Sequence, residues 1–189
     1  MKLASTGGQK EEKRSWFETV SYRLGQGFEH LGLVMPLTVE DRTEVARWLP
    51  PSALSLFFTM SKADQQHSLR VCRGLLAEGH TEQDLLAAAL LHDVGKAEGR
   101  VPFWTRPTIV LSKLLAPGWL RRSVVHPHEF TARHVPRWQQ ALSYAWWHAD
   151  VGAELATQAG LSERAALYIR THHQPDGPAA ALHRVDEVS

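Results

Sequence analysis

Cysteine is almost missing from this chain: Cys72 is the only one in 189 residues, which excludes an internal disulfide framework, a Cys-rich zinc ribbon and a Cys-ligated iron–sulfur cluster. That usage fits a reducing, cytoplasmic compartment. Long apolar runs are missing as well. None approaches the roughly 20 residues of a membrane span, and Met1 to Arg14 is polar and mixed in charge, unlike a secretory leader. An excess of one charge is also lacking: 21 Lys and Arg stand against 20 Asp and Glu, for a net charge of +1. That balance argues against a general nucleic-acid binder and against an anionic-membrane binder. Nor does any segment alternate apolar and polar residues over strand length between turn residues, so the expected fold class is all-α.

What is present is ordinary for a folded domain, with 43% hydrophobic and 22% charged residues, enough to bury a core. Residues 1–14 have too little apolar content to pack and read as a loose tail. Residues 15–61 read as accessory helices: one over Trp16–Leu33, weakened by Gly25 and Gly27, and one that starts at the capping box Thr38–Asp41 and ends near Pro50-Pro51. Ser52 is expected to cap a further short helix. Residues 62–189 then read as the domain that carries the chemistry, within a bundle of about six to nine helices. Asp64 is expected to cap a helix over Gln65–Glu78 that Gly79 ends, with His67 in its first turn. Thr81–Asp84 repeats the capping pattern, and Leu85–Leu91 is apolar at every position, so that helix is buried all round and ends in His92-Asp93. Five prolines between Gly99 and Pro136 predict a loop-rich insert, at about residues 97–137, that faces the substrate. Trp138–Gly160 reads as a long helix with His148 in its apolar stripe. Ser162 caps another, with Ile169 and His172 in its stripe, and a last helix from about Pro178 carries Asp186.

Eleven histidines are more than composition requires, and where they fall matters more than their number. A carboxylate at the end of a wholly apolar helix costs several kcal/mol unless it is paired, so Asp93 needs a partner. A local pairing with Lys96 is the plain explanation. Yet His67, His148, His172 and Asp186 each stand on a different helix and aim inward, which suggests a shared cation held by nitrogen and oxygen alone. Such a set suits Fe, Mn, Co, Ni, Zn or Mg. The candidates (His67, His92, Asp93, His148, His172, His173, Asp186) exceed the demand of one ion, so two divalent transition ions, Fe or Mn first, are the expected cofactors.

The ordered series His67, then Leu90-Leu91-His92-Asp93-Val94-Gly95-Lys96, then His148, then His172-His173, then Asp186 resembles the HD-domain metal-dependent phosphohydrolase superfamily over about residues 60–189. Its two-metal branches are the most similar, both the HD-GYP type and the type that splits diadenosine tetraphosphate. The Gly-Tyr-Pro triplet of the former is missing here, and Ala63 stands where that branch has a Glu. The resemblance implies His67, His92, Asp93 and Asp186 as the basic metal site, Asp93 bridging to a second ion at His148 and His172, His173 as a further ligand, and Lys96 as a contact to a phosphate oxygen. Asp93 and Lys96 are then the catalytic candidates. The implied function is a metal-dependent hydrolase of a phosphoester or phosphoanhydride bond in a small nucleotide or related phosphate ester, using a metal-activated hydroxide. Arg121, Arg122 and Arg170 are candidate substrate contacts, with His126 and His128 near the first two; a solvated face is the alternative for such residues. Trp104, Trp119, Trp138, Trp146 and Trp147 suit core packing or the stacking of a base. Two further readings are an HD-fold di-iron oxygenase and a non-catalytic, metal-stabilised signalling module. The expected partner is a small phosphorylated molecule, with no membrane and no general nucleic-acid binding; a homo-oligomer is left open.

Overall fold

The computed structural model describes residues 34–97, 100–102 and 104–189. The expected tail over 1–14 and helix over Trp16–Leu33 lie outside the described residues. Among the described residues there is no strand, and ten α-helices run in the order α1 (Val39–Trp48), α2 (Pro51–Phe57), α3 (Lys62–Ala77), α4 (Gln83–Leu91), α5 (Thr105–Leu115), α6 (Pro117–Ser123), α7 (Phe130–Arg133), α8 (Arg137–Gln158), α9 (Glu163–Thr171) and α10 (Ala180–Asp186). Short 3₁₀ turns at Val94–Lys96 and Pro127–Glu129 complete the set. The all-α expectation holds. Among these residues no helix is long and apolar enough to cross a membrane.

Local chemistry sets the helix ends, though not always through the expected residue. Thr38 and Asp41 form the capping box of α1, each side chain meeting the other's backbone N–H at 3.1 and 3.0 Å. Ser61, not Asp64, caps α3: its hydroxyl accepts from the Asp64 N–H and donates to the Asp64 carboxylate at 2.7 Å. The helix therefore begins at Lys62, and His67 lies in its second turn. Ser52 does not cap α2, which starts from an extended Pro50 with Pro51 in the first turn, where no N–H is required. The Ser52 hydroxyl instead donates to the Ala159 carbonyl, beyond the end of α8. Thr81 does not cap α4, whose N-cap is Glu82 without a side-chain bond. Asp84 turns away to accept from Ser162 at 2.7 Å, and Ser162 caps α9 through the Ala165 N–H. Gly79 ends α3 as expected, at φ +90°, with the His80 N–H on the Leu75 carbonyl and the Gly79 N–H on that of Leu76.

The insert is more helical than its prolines suggest. Pro107 and Pro117 sit in the first turns of α5 and α6, where backbone N–H groups have no intrahelical acceptor, so neither breaks its helix. Helix α5 exposes Val110, Leu111, Leu114 and Leu115. None of the five tryptophans weighed for core packing is buried: Trp104, Trp119 and Trp138 are exposed, and Trp146 and Trp147 are half-buried.

Pro36–Ser189 forms one compact unit. Residues from 37 to 60 supply Leu37, Val45, Leu49, Ala53, Phe57 and Met60 to the same core as α3, α4 and α9. They are part of the unit rather than an appendage to it. Helix α4 is its centre, with Leu85–Leu91 buried at every position as its composition requires, packed on α3 and α9. Each Å² of apolar surface that it removes from water contributes about 25 cal/mol, and it does so on every face. Beyond it, the Val94–Lys96 turn packs on α8. Gly95 makes that approach feasible, because a Cβ there would stand 2.1 Å from the His148 carbonyl oxygen.

Candidate metal centre

A buried helix that ends at its site delivers side chains with little freedom, and α4 does so with His92 at its C-cap and Asp93 immediately after. Both are buried, at 0% and 8% exposure. Helix α3 contributes His67, α8 His148, the end of α9 His172 and His173, and the last residue of α10 Asp186. All seven candidate ligands therefore meet. His67 Nε2 lies 2.8 Å from Asp186 Oδ1, and His92 Nε2 lies 3.4 Å from the same oxygen. Around Asp93 Oδ1 stand Nε2 of His92 at 3.8 Å, of His148 at 3.7 Å and of His172 at 4.0 Å. His173 Nε2 is 2.9 Å from His148 Nε2. Ligand atoms of His67, His92 and Asp93 all fall within 4.8 Å of one another, and so do those of His148, His172 and His173. The Asp93 carboxylate of the first triad thus also stands 3.7 and 4.0 Å from two imidazoles of the second.

The backbone orients three of these imidazoles in the same way. The Nδ1–H of His92 donates to Ala89 O at 2.8 Å, that of His148 to Ala145 O at 2.9 Å, and that of His172 to Ile169 O at 2.6 Å. Each bond goes three residues back along the helix. A hydrogen bond at one ring nitrogen presents the other as the ligand atom, as in metal-bound histidines generally. For His92 and His172 that Nε2 is buried and makes no hydrogen bond of good geometry, with a carboxylate oxygen 3.4 Å from the first and 4.0 Å from the second, a state that costs about 1–3 kcal/mol unless something satisfies it. A cation among these nitrogens satisfies both, so the residues present fit a metal. The donor set is nitrogen and oxygen only. Cys72 takes no part: it is buried in the core, and burial pushes its thiol up to about 12.

The electrostatics keep both carboxylates charged and three of the imidazoles neutral. Burial resists ionisation of Asp93, but Lys96, His92, His148 and His172 overcome it and hold the carboxyl well below its ordinary range. Asp186 is likewise held low, by His67 and His92 against its burial. Burial, then Lys96, keeps His148 neutral far below the ordinary histidine range. Burial, then the neighbouring imidazoles, lowers His172 to about 3. His173 has solvent at its outer edge, yet its ring packs against His148 and His172; loss of hydration there, followed by the Lys96 charge, lowers it to about 4. His92 behaves oppositely. Its burial disfavours charge, but Asp93 and Asp186 outweigh that and raise it to about 9.

Lys96 reaches back one turn, its ammonium 2.6 Å from Asp93 Oδ1. The local pairing and the multi-helix convergence are therefore both present. Arg121 and Arg122 do not join the cluster; they are exposed on α6. Arg170 does not join it either, and lies 3.4 Å from Asp150. The cation that sequence reasoning missed is Lys113 of α5. Lys113 is exposed on α5, with its ammonium 5.4 Å from the Trp146 ring centroid; loss of hydration there, then the charge of Lys96, holds it below the ordinary lysine range. A lysine in a Pro- and Trp-rich insert has no spacing that ties it to a distant histidine series, so no local pattern could have found it. An open cleft lined by Val39, Thr43, Trp48 and Leu76 shares no residue with the cluster. Comparison with family models, with curated proteins and with solved structures returned no match to this chain.

Proposed function

We propose that this chain is a metal-dependent phosphohydrolase of the HD type, acting on a small nucleotide or a related phosphate ester. The observation that carries the reading is the pair of ligand triads about Asp93, with the lysine ammonium of Lys96 beside it. His67, His92, Asp93 and Asp186 would hold one divalent ion; Asp93, His148 and His172, with His173 at the rim, a second. Such ions, when bound, supply Lewis acidity that activates water at neutral pH and screens phosphoryl charge. The protein's own part is orientation and charge. The three carbonyl-anchored imidazoles hold their Nε2 atoms towards Asp93 without needing to reorganise. Lys96 and Lys113 offer ammonium groups to phosphate oxygens. Lys96 at the cluster supports phosphate chemistry over an oxygenase reading.

The test is elemental analysis of the chain purified without chelators, together with hydrolysis assays on a panel of mono-, di- and dinucleoside phosphates. We expect about two ions per chain and turnover that chelation abolishes. Asp93→Ala should lower turnover at least about 100-fold, the scale of losing one preorganised electrostatic group, while helicity is retained. His148→Ala should lower the metal content by about one ion. Chelator-resistant turnover, or an Asp93→Ala variant as active as the parent, would overturn the proposal.

A further inference from the structure

A second cluster of ligating side chains lies outside the Asp93 centre. The 3₁₀ turn Pro127–Glu129 has His126 as its N-cap and His128 in its middle, with Pro127 fixing the backbone between them. The two imidazoles stack at 4.8 Å with 24° between their planes, and His126 also packs on Trp147, with ring centroids 5.0 Å apart and 60° between planes. His128 Nε2 lies 3.0 Å from Oε1 of Glu154, on α8. Ligand atoms of all three residues fall within 4.8 Å of one another. Glu129, the other acid of the turn, is engaged elsewhere by Arg133 at 2.8 Å.

We propose that His126, His128 and Glu154 bind a divalent transition ion of the zinc class. Zinc takes imidazole nitrogen at about 2.0–2.1 Å and carboxylate oxygen at about 2.0–2.2 Å, so its ligand atoms stand a little over 3 Å apart. The His128–Glu154 contact is already at that spacing, and partly exposed side chains need only small rotations for the third. Two imidazoles and one carboxylate favour zinc, copper or nickel over magnesium or calcium, which prefer all-oxygen shells. Three protein ligands leave a position for water. A plain surface ion pair explains His128 beside Glu154, and such pairs contribute little. His126 is held beside that pair by accepting the His128 N–H on its Nδ1 at 3.5 Å and by its ring contact with Trp147, so its imidazole is in place before an ion binds. The bound ion ties the insert to α8, the helix that carries His148 six residues before Glu154.

The test is equilibrium dialysis of the full-length, metal-stripped chain against Zn²⁺, followed by elemental analysis. The proteins are the parent, His128→Ala, Glu154→Gln, and each substitution combined with Asp93→Asn. His128 is 69% exposed, so its removal leaves the core intact, and circular dichroism checks each protein. We expect one ion fewer, or at least fivefold weaker binding of one ion, in both His128→Ala and Glu154→Gln, and the same deficit in the Asp93→Asn background. Zinc stoichiometry and affinity unchanged in either variant overturns the proposal. So does a site that magnesium occupies as readily as zinc. Because the deficit is read as ion count, it stands or falls independently of any hydrolytic activity.

Discussion

Asp93 and Lys113 show opposite limits of what a single residue discloses. Asp93 is conspicuous because a carboxylate after seven apolar residues must have compensation, and the structure supplies it from Lys96 and three imidazoles. Lys113 is inconspicuous, since its part depends on how α5 folds against α8. Its substitution separates substrate contact from metal holding: Lys113→Ala should raise KM for a phosphorylated substrate about tenfold, the scale of one charge-assisted hydrogen bond, without changing the metal content. Steady-state kinetics beside elemental analysis reads both. An unchanged KM would remove Lys113 from the substrate side. Arg170 offers the contrast, because its pairing with Asp150 predicts that Arg170→Ala leaves KM within about twofold.

At the scale of elements, the turn between α4 and the insert is the tightest joint. A methyl group at residue 95 meets the His148 carbonyl oxygen at 2.1 Å, and that atom belongs to helix backbone that cannot swing aside. Gly95→Ala should therefore cost about 1–3 kcal/mol, as overpacking does, and should loosen metal binding through His148. Denaturant unfolding of the parent and variant measures the first; a midpoint shift within error would show that the joint can give. The cap of α3 is a milder case. Ser61→Ala removes the acceptor for the Asp64 N–H and should cost about 1 kcal/mol, read from the same curves, whereas the sequence pattern alone would have directed that substitution to Asp64.

Across the whole molecule, seven candidate ligands from α3, the end of α4, α8, α9 and α10 make the cluster a tie between helices far apart in the chain. A cation that binds the folded state alone should therefore stabilise it. At a concentration about 100-fold above its dissociation constant it contributes about 2.7 kcal/mol, roughly 5–10 °C in melting temperature for a chain of this size. Chelation should reverse the gain, and thermal unfolding with and without Mn²⁺ or Fe²⁺ checks it. The metal-stripped protein has its own pH dependence. His148, His172 and His173, with lowered values, stay neutral when folded but take up protons when unfolded below about 6.5, so stability rises as pH climbs towards that value. His92, raised to about 9, is charged when folded and neutral when unfolded above about 6.5, so its contribution is lost between there and pH 9. Stability of the stripped chain should peak near pH 6.5, and a monotonic rise from pH 6 to 9 would contradict the charged state of His92.

The linear chain determined most of the helices and all seven members of the cluster. Apolar periodicity and capping residues act over one or two turns, and a histidine or aspartate on a buried stripe declares itself locally. The sequence also determined that α4 is buried throughout, because seven consecutive apolar residues leave no polar face. Three things were decided only by tertiary structure. Which hydroxyl or carboxylate caps a helix changed where a distant group competed for it, as Ser162 did for Asp84 and the Ala159 carbonyl did for Ser52. Whether residues 37–60 are accessory depended on where their apolar side chains are buried, and they enter the shared core. Which cations act near the cluster was settled by the packing of α5 and α6: Lys113 feels the charge of Lys96, and Arg121 and Arg122 are exposed on α6. Charges act through space over several ångströms, and spacing along the chain does not record that distance.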